Sequence, residues 1–299
     1  MTHLARRWPL VGLVLAVVAI GSRADAQYFG RNKVQYERFD FRIMKTDHLE
    51  HYFYPAESLA TSDMARAGER WYSRLSDIFR HQFDRKAVVW YADHPDFQQT
   101  NVGGSIEEGT GGITEGLRTR VVMPHTGSYW DTHHVLGHEL VHVFQYNIAE
   151  AGPGGLNRLA ALPLWLVEGM AEYLSLGRND PLTAMWLRDA TLRDKLPTIK
   201  QLNTDPRYFP YRYGQALWAY VAGRYGDRAV VDIYRASLRV GWDQALVRVL
   251  GVNQDSLSKD WIASIKATYT PLLADRTKPT EAGDPVLRQS SRGGDYNLA

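Results

Sequence analysis

Two periodicities divide the chain. Phe39 to Met44 alternates apolar and polar residues with the period of a half-buried strand, and His51 to Tyr54 reads as a second strand. From Ser62 to Phe83 the period lengthens: Met64, Ala67, Trp71, Leu75, Ile78 and Phe79 fall on one helical face, with N-cap oxygens offered by Ser62 and Asp63. Ala87 to Tyr91 is a short, continuously apolar strand closed by Asp93, His94 and Pro95, so the chain opens with a β-α-β arrangement that sets a helix against a small sheet. Arg120 to Pro124 adds a further strand. From residue 131 onward helical spacing dominates. Asp131 or Thr132 can cap a helix running to Asn147, Pro163 opens another that ends near Gly177, and Pro181 opens a third through Lys195. Tyr213 to Tyr225, Ala229 to Leu238, Trp242 to Leu250 and Ser256 to Tyr269 complete the series. The pattern predicts an α+β fold, with a small mixed N-terminal sheet and a helical C-terminal half, and no internal repeat.

The two ends stand outside this pattern. Residues 1–26 have the layout of a secretory signal peptide: Arg6 and Arg7, an apolar run from Pro9 to Gly21, then Ala24-Asp25-Ala26 before Gln27. That run is short of the about 20 residues a bilayer span needs, so cleavage and export, to the periplasm or outside the cell, are expected, with no membrane span after cleavage. Residues 274–299 are polar, interrupted by Pro279, Pro285 and a Gly-Gly at 293 and 294, and read as a linker or tail. The domain between them is expected over residues 27–273.

Charge and cysteine content narrow the chemistry. Without Arg6, Arg7, Arg23 and Asp25 of the leader, 35 basic and 33 acidic residues both fall to 32, so no basic field is available to attract nucleic acid. With 0 cysteines the chain has no disulfide, no thiolate nucleophile and no Cys-based zinc site. An exported protein of this kind must rely on core size or a bound metal for stability.

A glycine-rich stretch, Val102 to Gly116, precedes the Arg120 strand. A phosphate cradle needs such glycines to run into Lys-Ser or Lys-Thr at a helix start, and here they run into a strand. Two readings stay open: a flexible hairpin, or an edge that lines a substrate cleft.

The densest chemistry lies in His138-Glu139-Leu140-Val141-His142. Residues four apart on a helix are rotated by about 40° from one another, so the two imidazoles project from one face and can converge on one ion. Glu139 is then close enough to reach a water on that ion without ligating it. Zinc lowers the pKa of a bound water to about 7, and a carboxylate can take its proton as the water attacks a carbonyl. The flanking residues Val135, Leu136, Gly137, Leu140, Val141, Val143 and Phe144 are uncharged, which buries the helix, and buried His, Glu and His need a partner to pair them. A catalytic zinc takes a third protein ligand, yet no histidine follows closely. Glu168 and Glu172 do follow, four apart on the otherwise apolar helix from Leu164 to Leu174. His133 and His134, a turn before the motif, read as helix-start residues.

His-Glu-x-x-His on one helix and Trp-Leu-x-Glu-Gly-x-Ala-Glu-Tyr, Trp165 to Tyr173, on the next resemble the gluzincin metallopeptidases, in particular the bacterial peptidase MA-like domains. The resemblance covers residues 39–270 and implies a zincin-like (thermolysin-like) fold, a Zn2+ cofactor and a peptide or protein substrate. It makes His138, His142 and Glu168 the zinc ligands, Glu139 the general base, and Glu172 the carboxylate that orients a ligand histidine. Tyr208 to Val221 resembles the family's Tyr-x-Gln helix start, which makes Tyr213 the better match and Tyr211 the reserve for an oxyanion donor, against aromatic packing at a helix entrance. Gly112 to Gly116 resembles the family's edge strand, where an extended substrate backbone pairs. The loop from Asn147 to Pro163 is longer than the family's shortest connections, so pocket specificity does not carry over. Ser290 to Ala299 resembles the start of a TolB-like β-propeller, implying a further C-terminal domain. The expected activity is an exported zinc metallopeptidase. The alternative is a non-catalytic zincin-like module that binds polypeptide or a cell-envelope partner.

Overall fold

The structure is a computed structural model that describes residues 38–100, 106–277 and 279–283. The signal-like segment, the propeller-like tail and Gly103 and Gly104 of the glycine-rich stretch lie outside the described residues.

Five strands form one mixed sheet: β1 (Arg42–Lys45), β2 (Leu49–Phe53), β3 (Lys86–Tyr91), β4 (Ile113–Glu115) and β5 (Arg120–Pro124), in the order β1-β2-β3-β5-β4. β2, β3 and β5 run parallel, and the antiparallel β1 and β4 occupy the two edges. The expected β-α-β unit is present, because α1 (Ser58–Phe79) connects the parallel β2 and β3. β2 alternates as its sequence demands, burying Leu49, His51 and Phe53. α1 lies close against it at Gly68, where an added Cβ would come within 2.6 Å of Leu49 Cδ1.

Boundaries in this half differ from the sequence expectation for local reasons. A 3₁₀ turn over Pro55–Glu57 starts α1 one turn early, so Ser62 and Asp63 sit inside the helix and bind Arg66 instead of capping. Arg80, at φ +47°, ends it before Phe83. Phe39 and Phe41 stay outside β1 because their rings pack with Tyr54 and Tyr91.

Among the described residues the remainder is helical apart from β4, β5 and connecting loops. α2 (His94–Gln98) is a short helix after β3. α3 (Tyr129–Glu150) carries the His-Glu-x-x-His segment and is capped by Ser128, not by Asp131 or Thr132. Asp131 is instead the residue whose backbone N–H Ser128 satisfies, and Thr132 turns inward to donate to the Ser128 carbonyl at 2.8 Å. Then come α4 (Gly155–Ala160), α5 (Leu164–Leu176), α6 (Pro181–Leu192), α7 (Ile199–Thr204), α8 (Pro210–Tyr225), α9 (Arg228–Val240), α10 (Trp242–Leu250), α11 (Gln254–Leu273) and α12 (Pro279–Ala282). Pro163 and Gly177 bound α5 as expected; α4 and α7 occupy stretches too short for a period to show. Among the described residues no helix is long and apolar enough to cross a membrane.

A continuous core joins α1 and the sheet to α3, α5, α8, α9 and α11. Two close approaches set its geometry. A Cβ on Gly137 of α3 would meet the Trp71 ring of α1 at 2.6 Å, while the Trp71 indole donates to the His133 carbonyl at 3.2 Å. Where α5 crosses α8, a Cβ on Gly169 would lie 2.4 Å from Gly214 Cα, and one on Gly214 would lie 2.5 Å from the Trp165 carbonyl oxygen. Trp218 locks the crossing by donating to the Leu166 carbonyl at 3.1 Å. Because the atoms met at this crossing are backbone, Gly214→Ala is expected to destabilise the protein by at least about 2 kcal/mol. Urea unfolding measures it, and a change below about 0.5 kcal/mol, the scale of an ordinary surface substitution, would contradict the close crossing.

The sheet also holds a pH-sensitive element. His51 is 0% exposed and its Nδ1 accepts from the Trp90 indole at 3.0 Å, so the ring is held neutral. Burial, outweighing the pull of Glu69, pushes His51 down to about 4. Burial does the same to His125, which stacks on the Trp90 ring at 4.7 Å. Both pKa values are depressed in the folded state, so the stability they contribute is complete above about pH 6.5, the unfolded value, and drains away as pH falls toward 4. For His51 the full loss is about 3 kcal/mol. His51→Gln keeps an acceptor without the titration, so its unfolding free energy is expected to fall less steeply than wild type between pH 7 and 4; identical slopes would count against this account.

Candidate metal centre

α3 and α5 bring their polar residues together out of otherwise apolar faces. His138 Nε2 and His142 Nε2 are 3.1 Å apart, and Oε2 of Glu168 lies 3.2 Å from the first and 3.1 Å from the second. The three atoms form a nearly equilateral triangle. Ligands about 2.0–2.1 Å from a tetrahedral zinc ion stand roughly 3.3 Å apart, so this triangle fits such an ion, and its two nitrogens and one carboxylate oxygen are a donor set zinc accepts.

Both rings are oriented from behind. His138 Nδ1 lies 2.9 Å from Glu172 Oε1, and His142 Nδ1 lies 2.8 Å from Gln145 Oε1. Each partner atom is an acceptor, so each Nδ1 carries a proton and each Nε2 is the nitrogen turned toward the triangle. The orienting groups are themselves held. Gln145 donates through Nε2 to the Val167 carbonyl at 3.1 Å, and its main-chain carbonyl accepts from the Tyr234 hydroxyl at 2.6 Å. Glu172 Oε2 accepts from Arg212 at 2.9 Å, and Arg212 also reaches Asp180 at 3.3 Å.

Electrostatics couples the cluster tightly. Burial alone would lower His138, but hydrogen bonds to Glu168 and Glu172 reverse this and raise it to about 10. His142 is also raised, burial being outweighed by the charge of Glu168. Burial opposes the charge on Glu168 and Glu172 too, yet the neighbouring histidines hold both well below the usual carboxylate range. A cation in the triangle replaces ring protons, so uptake of metal is linked to proton release.

Glu139 sits beside the triangle and makes contact with the sheet edge. Its Oε2 accepts from the Thr114 hydroxyl of β4 at 2.6 Å. A Cβ on Gly112 would come within 2.9 Å of Glu139 Cγ, and one on Gly111 within 3.0 Å of Val135. In the described part of the glycine-rich segment, β4 pairs with β5 in a hairpin, and Gly111 and Gly112 just before it line the cleft against α3. That cleft measures about 720 Å³ and contains His138, Glu139, His142, Glu168, Glu172 and Tyr211.

The two tyrosines separate. Tyr211 stacks on the His138 ring, centroids 6.0 Å apart, whereas Tyr213 is buried with its ring edge-on to Trp186 and Tyr208. Residues two apart on a helix point to nearly opposite sides, so of the two expected tyrosines the structure brings Tyr211 into the cleft and leaves Tyr213 outside it. Burial, then the charge of Glu168, pushes the Tyr211 phenol well above its ordinary value, which keeps it protonated as a donor. His133 stacks against Tyr129 and Trp71, away from the triangle. His134 faces Glu172, with Nε2 3.3 Å from Oε1, and with Glu172 and His138 it makes a second group of ligand-type atoms behind the first.

Sequence reasoning missed Gln145, Thr114 and Arg212. Gln145 had a signal, since it lies three residues after His142 on the same helical face. Thr114 and Arg212 had none, because their partners are 25 and 40 residues away.

The geometry sits almost wholly within one stretch of chain that also bears a sequence likeness. Residues 119–261 match the family model described as peptidase of plants and bacteria. This span, a little under half of the chain, includes α3, α5 and the start of α8, and so every member of the triangle and its supports except Thr114. The chain is thus peptidase-related over the stretch that builds the cluster. No curated protein matches it.

Within this peptidase-related span Gln145 offers a clean test, because it touches His142 and stays out of the triangle. Gln145→Leu is expected to weaken zinc binding by about 10–100-fold, the usual cost of losing a group that orients a ligand. Competition against a chromogenic chelator reads the affinity, and an unchanged value would show that Gln145 does not orient the ring.

Proposed function

We propose that the protein is a zinc-dependent metallopeptidase of the gluzincin type, acting on peptide or protein substrates after export. The observation that carries this reading is the convergence of His138, His142 and Glu168 within 3.2 Å of one another, with Glu139 beside them in an open cleft. The family match over the same stretch supports the peptidase class, and the leader-like residues 1–26 support export.

His138, His142 and Glu168 would hold the ion. Bound there, zinc supplies Lewis acidity, which brings the pKa of a water toward neutrality and polarises a carbonyl oxygen. Glu139, which lines the cleft with its Oε2 fixed by Thr114, accepts the proton of the attacking water. The same carboxyl then returns the proton to the departing amine nitrogen. Tyr211, protonated and stacked on His138, donates to the oxygen on which negative charge develops. Glu172 and Gln145 keep the two imidazoles in one tautomer throughout. The free edge of β4 is suited to pair an extended substrate backbone across from these groups.

Glu139→Gln is expected to retain about one zinc per chain, since the residue is outside the ligand triangle, while cleavage of a peptide library falls by roughly 10²–10⁴-fold. Metal analysis and library digestion of both proteins side by side give the answer. Undiminished cleavage by Glu139→Gln removes the proposed mechanism; zinc binding with no turnover by wild type turns the reading to a polypeptide-binding module.

A further inference from the structure

α6 carries an apolar face that stays exposed among the described residues. Leu182, Met185 and Trp186 stand at helical spacing on one side of it and are 53%, 49% and 37% exposed. Scattered exposed apolar residues need no explanation, but contiguous ones mark a contact surface. Here ring contacts join the surface to the cleft. The Trp186 ring lies 5.6 Å from Phe209, which is 40% exposed, Phe209 stacks on Tyr211 at 5.0 Å, and Tyr211 stacks on His138 at 6.0 Å. Phe209 and Tyr211 both line the cleft. The indole is also propped from within, because the buried Tyr213 meets it edge-on at 6.0 Å and is itself met edge-on by Tyr208 at 5.7 Å. Tyr213 therefore supports a surface beside the site and does not face the reacting group.

We propose that Trp186 and Phe209 form an aromatic shelf that takes an aromatic or large aliphatic side chain of an extended polypeptide substrate, a few residues from the bond cleaved at the metal centre. The inference rests on the metallopeptidase reading and adds to it the class of substrate preferred. Three ring-to-ring steps of 5.0–6.0 Å separate Trp186 from His138. An extended chain advances about 3.3 Å per residue, so the shelf is reached within roughly five residues of the reacting carbonyl. Continuity decides the occupant: a polypeptide already lying in the cleft past Tyr211 covers Phe209 and Trp186 simply by continuing outward. Burying its apolar side chain there removes two exposed rings from water.

Matched peptides carrying Phe or Ser at one position, scanned over five residues on either side of the cleavage point, test the shelf. Wild type is expected to favour Phe at one or two of these positions by about tenfold or more in kcat/KM, the scale of burying an aromatic ring. Trp186→Ala and Phe209→Ala bring that ratio toward one, mainly through KM, whereas Trp186→Phe retains most of it. A ratio unaltered in both alanine variants overturns the shelf even if cleavage is robust. So does a concentration-dependent dimer that Trp186→Ala dissociates, since a second copy then covers the face. If wild type cleaves none of the peptides, their binding to Glu139→Gln separates the two readings. Tighter binding of a Phe peptide that is lost on adding Trp186→Ala keeps the shelf while the hydrolytic reading falls; equal binding of Phe and Ser peptides removes both.

Discussion

Backbone rests on backbone where α5 crosses α8, and the metal centre hangs from that contact. Gly169 lies directly after Glu168 and three residues before Glu172, while Gly214 follows Tyr211 and Arg212 within one helical turn. With no Cβ on either glycine, the two helices approach until their main chains touch. At that separation Arg212 reaches Glu172 at 2.9 Å and Tyr211 lies over the His138 ring. A wider crossing would draw the guanidinium and the phenol away together. The glycine in the second motif is thus a distance requirement on the acidic residues around it, and the Trp218 hydrogen bond to Leu166 fixes the same distance from the side.

Charge balance explains why so many ionisable groups are tolerated in one apolar region. Glu139, Glu168 and Glu172 bring three carboxylates to the cleft, and Arg212 answers one of them. On the proposed reading, a dication in the triangle would supply the two remaining positive charges and leave the histidines neutral, as ligands must be. In its place the imidazoles are drawn toward their protonated forms, as the raised His138 and His142 show. Proton and metal would therefore compete for the same buried negative charge. Asp180 stays outside this balance, because it caps α6 through the Thr183 backbone N–H at 2.6 Å while touching Arg212 at 3.3 Å.

What could be read from the sequence follows from the range of each interaction. The pairs His138 with His142 and Glu168 with Glu172 each stand one helical turn apart, so spacing alone aligned them on a face. Pro163 and Gly177 act on their own helix and gave its ends. The split between Tyr211 and Tyr213 had no such local cause: which of them faces the cleft depends on where α8 starts and on how Gly214 seats it against α5. Helix caps failed for a related reason. Asp131 and Thr132 are good capping residues, but Ser128 lies one turn earlier and takes the role, freeing Thr132 to be buried. The six-residue helices α4 and α7 are set by neighbours and turns more than by any repeat of apolar residues.

The cleft also divides along the chain in a way that bears on how specificity arises. The ligands, the residues behind them, Tyr211 and the α6 face all lie between residues 119 and 261, the span shared with the peptidase family. Thr114 and Gly112, which fix Glu139 and make room for it, belong to the segment before that span, and so does the free edge of β4. The reacting groups are thus built on two rigid helices, whereas the opposite wall is a glycine-rich approach to a three-residue strand. Glycine there permits the wall to come within contact of α3, and it also leaves the wall few side chains with which to recognise a substrate. Main-chain pairing along β4 is indifferent to sequence, since every residue but proline offers the same N–H and C=O. On the proposed reading, discrimination between substrates falls to side chains on the helices facing that wall, where Tyr211 and Phe209 supply rings that glycine cannot.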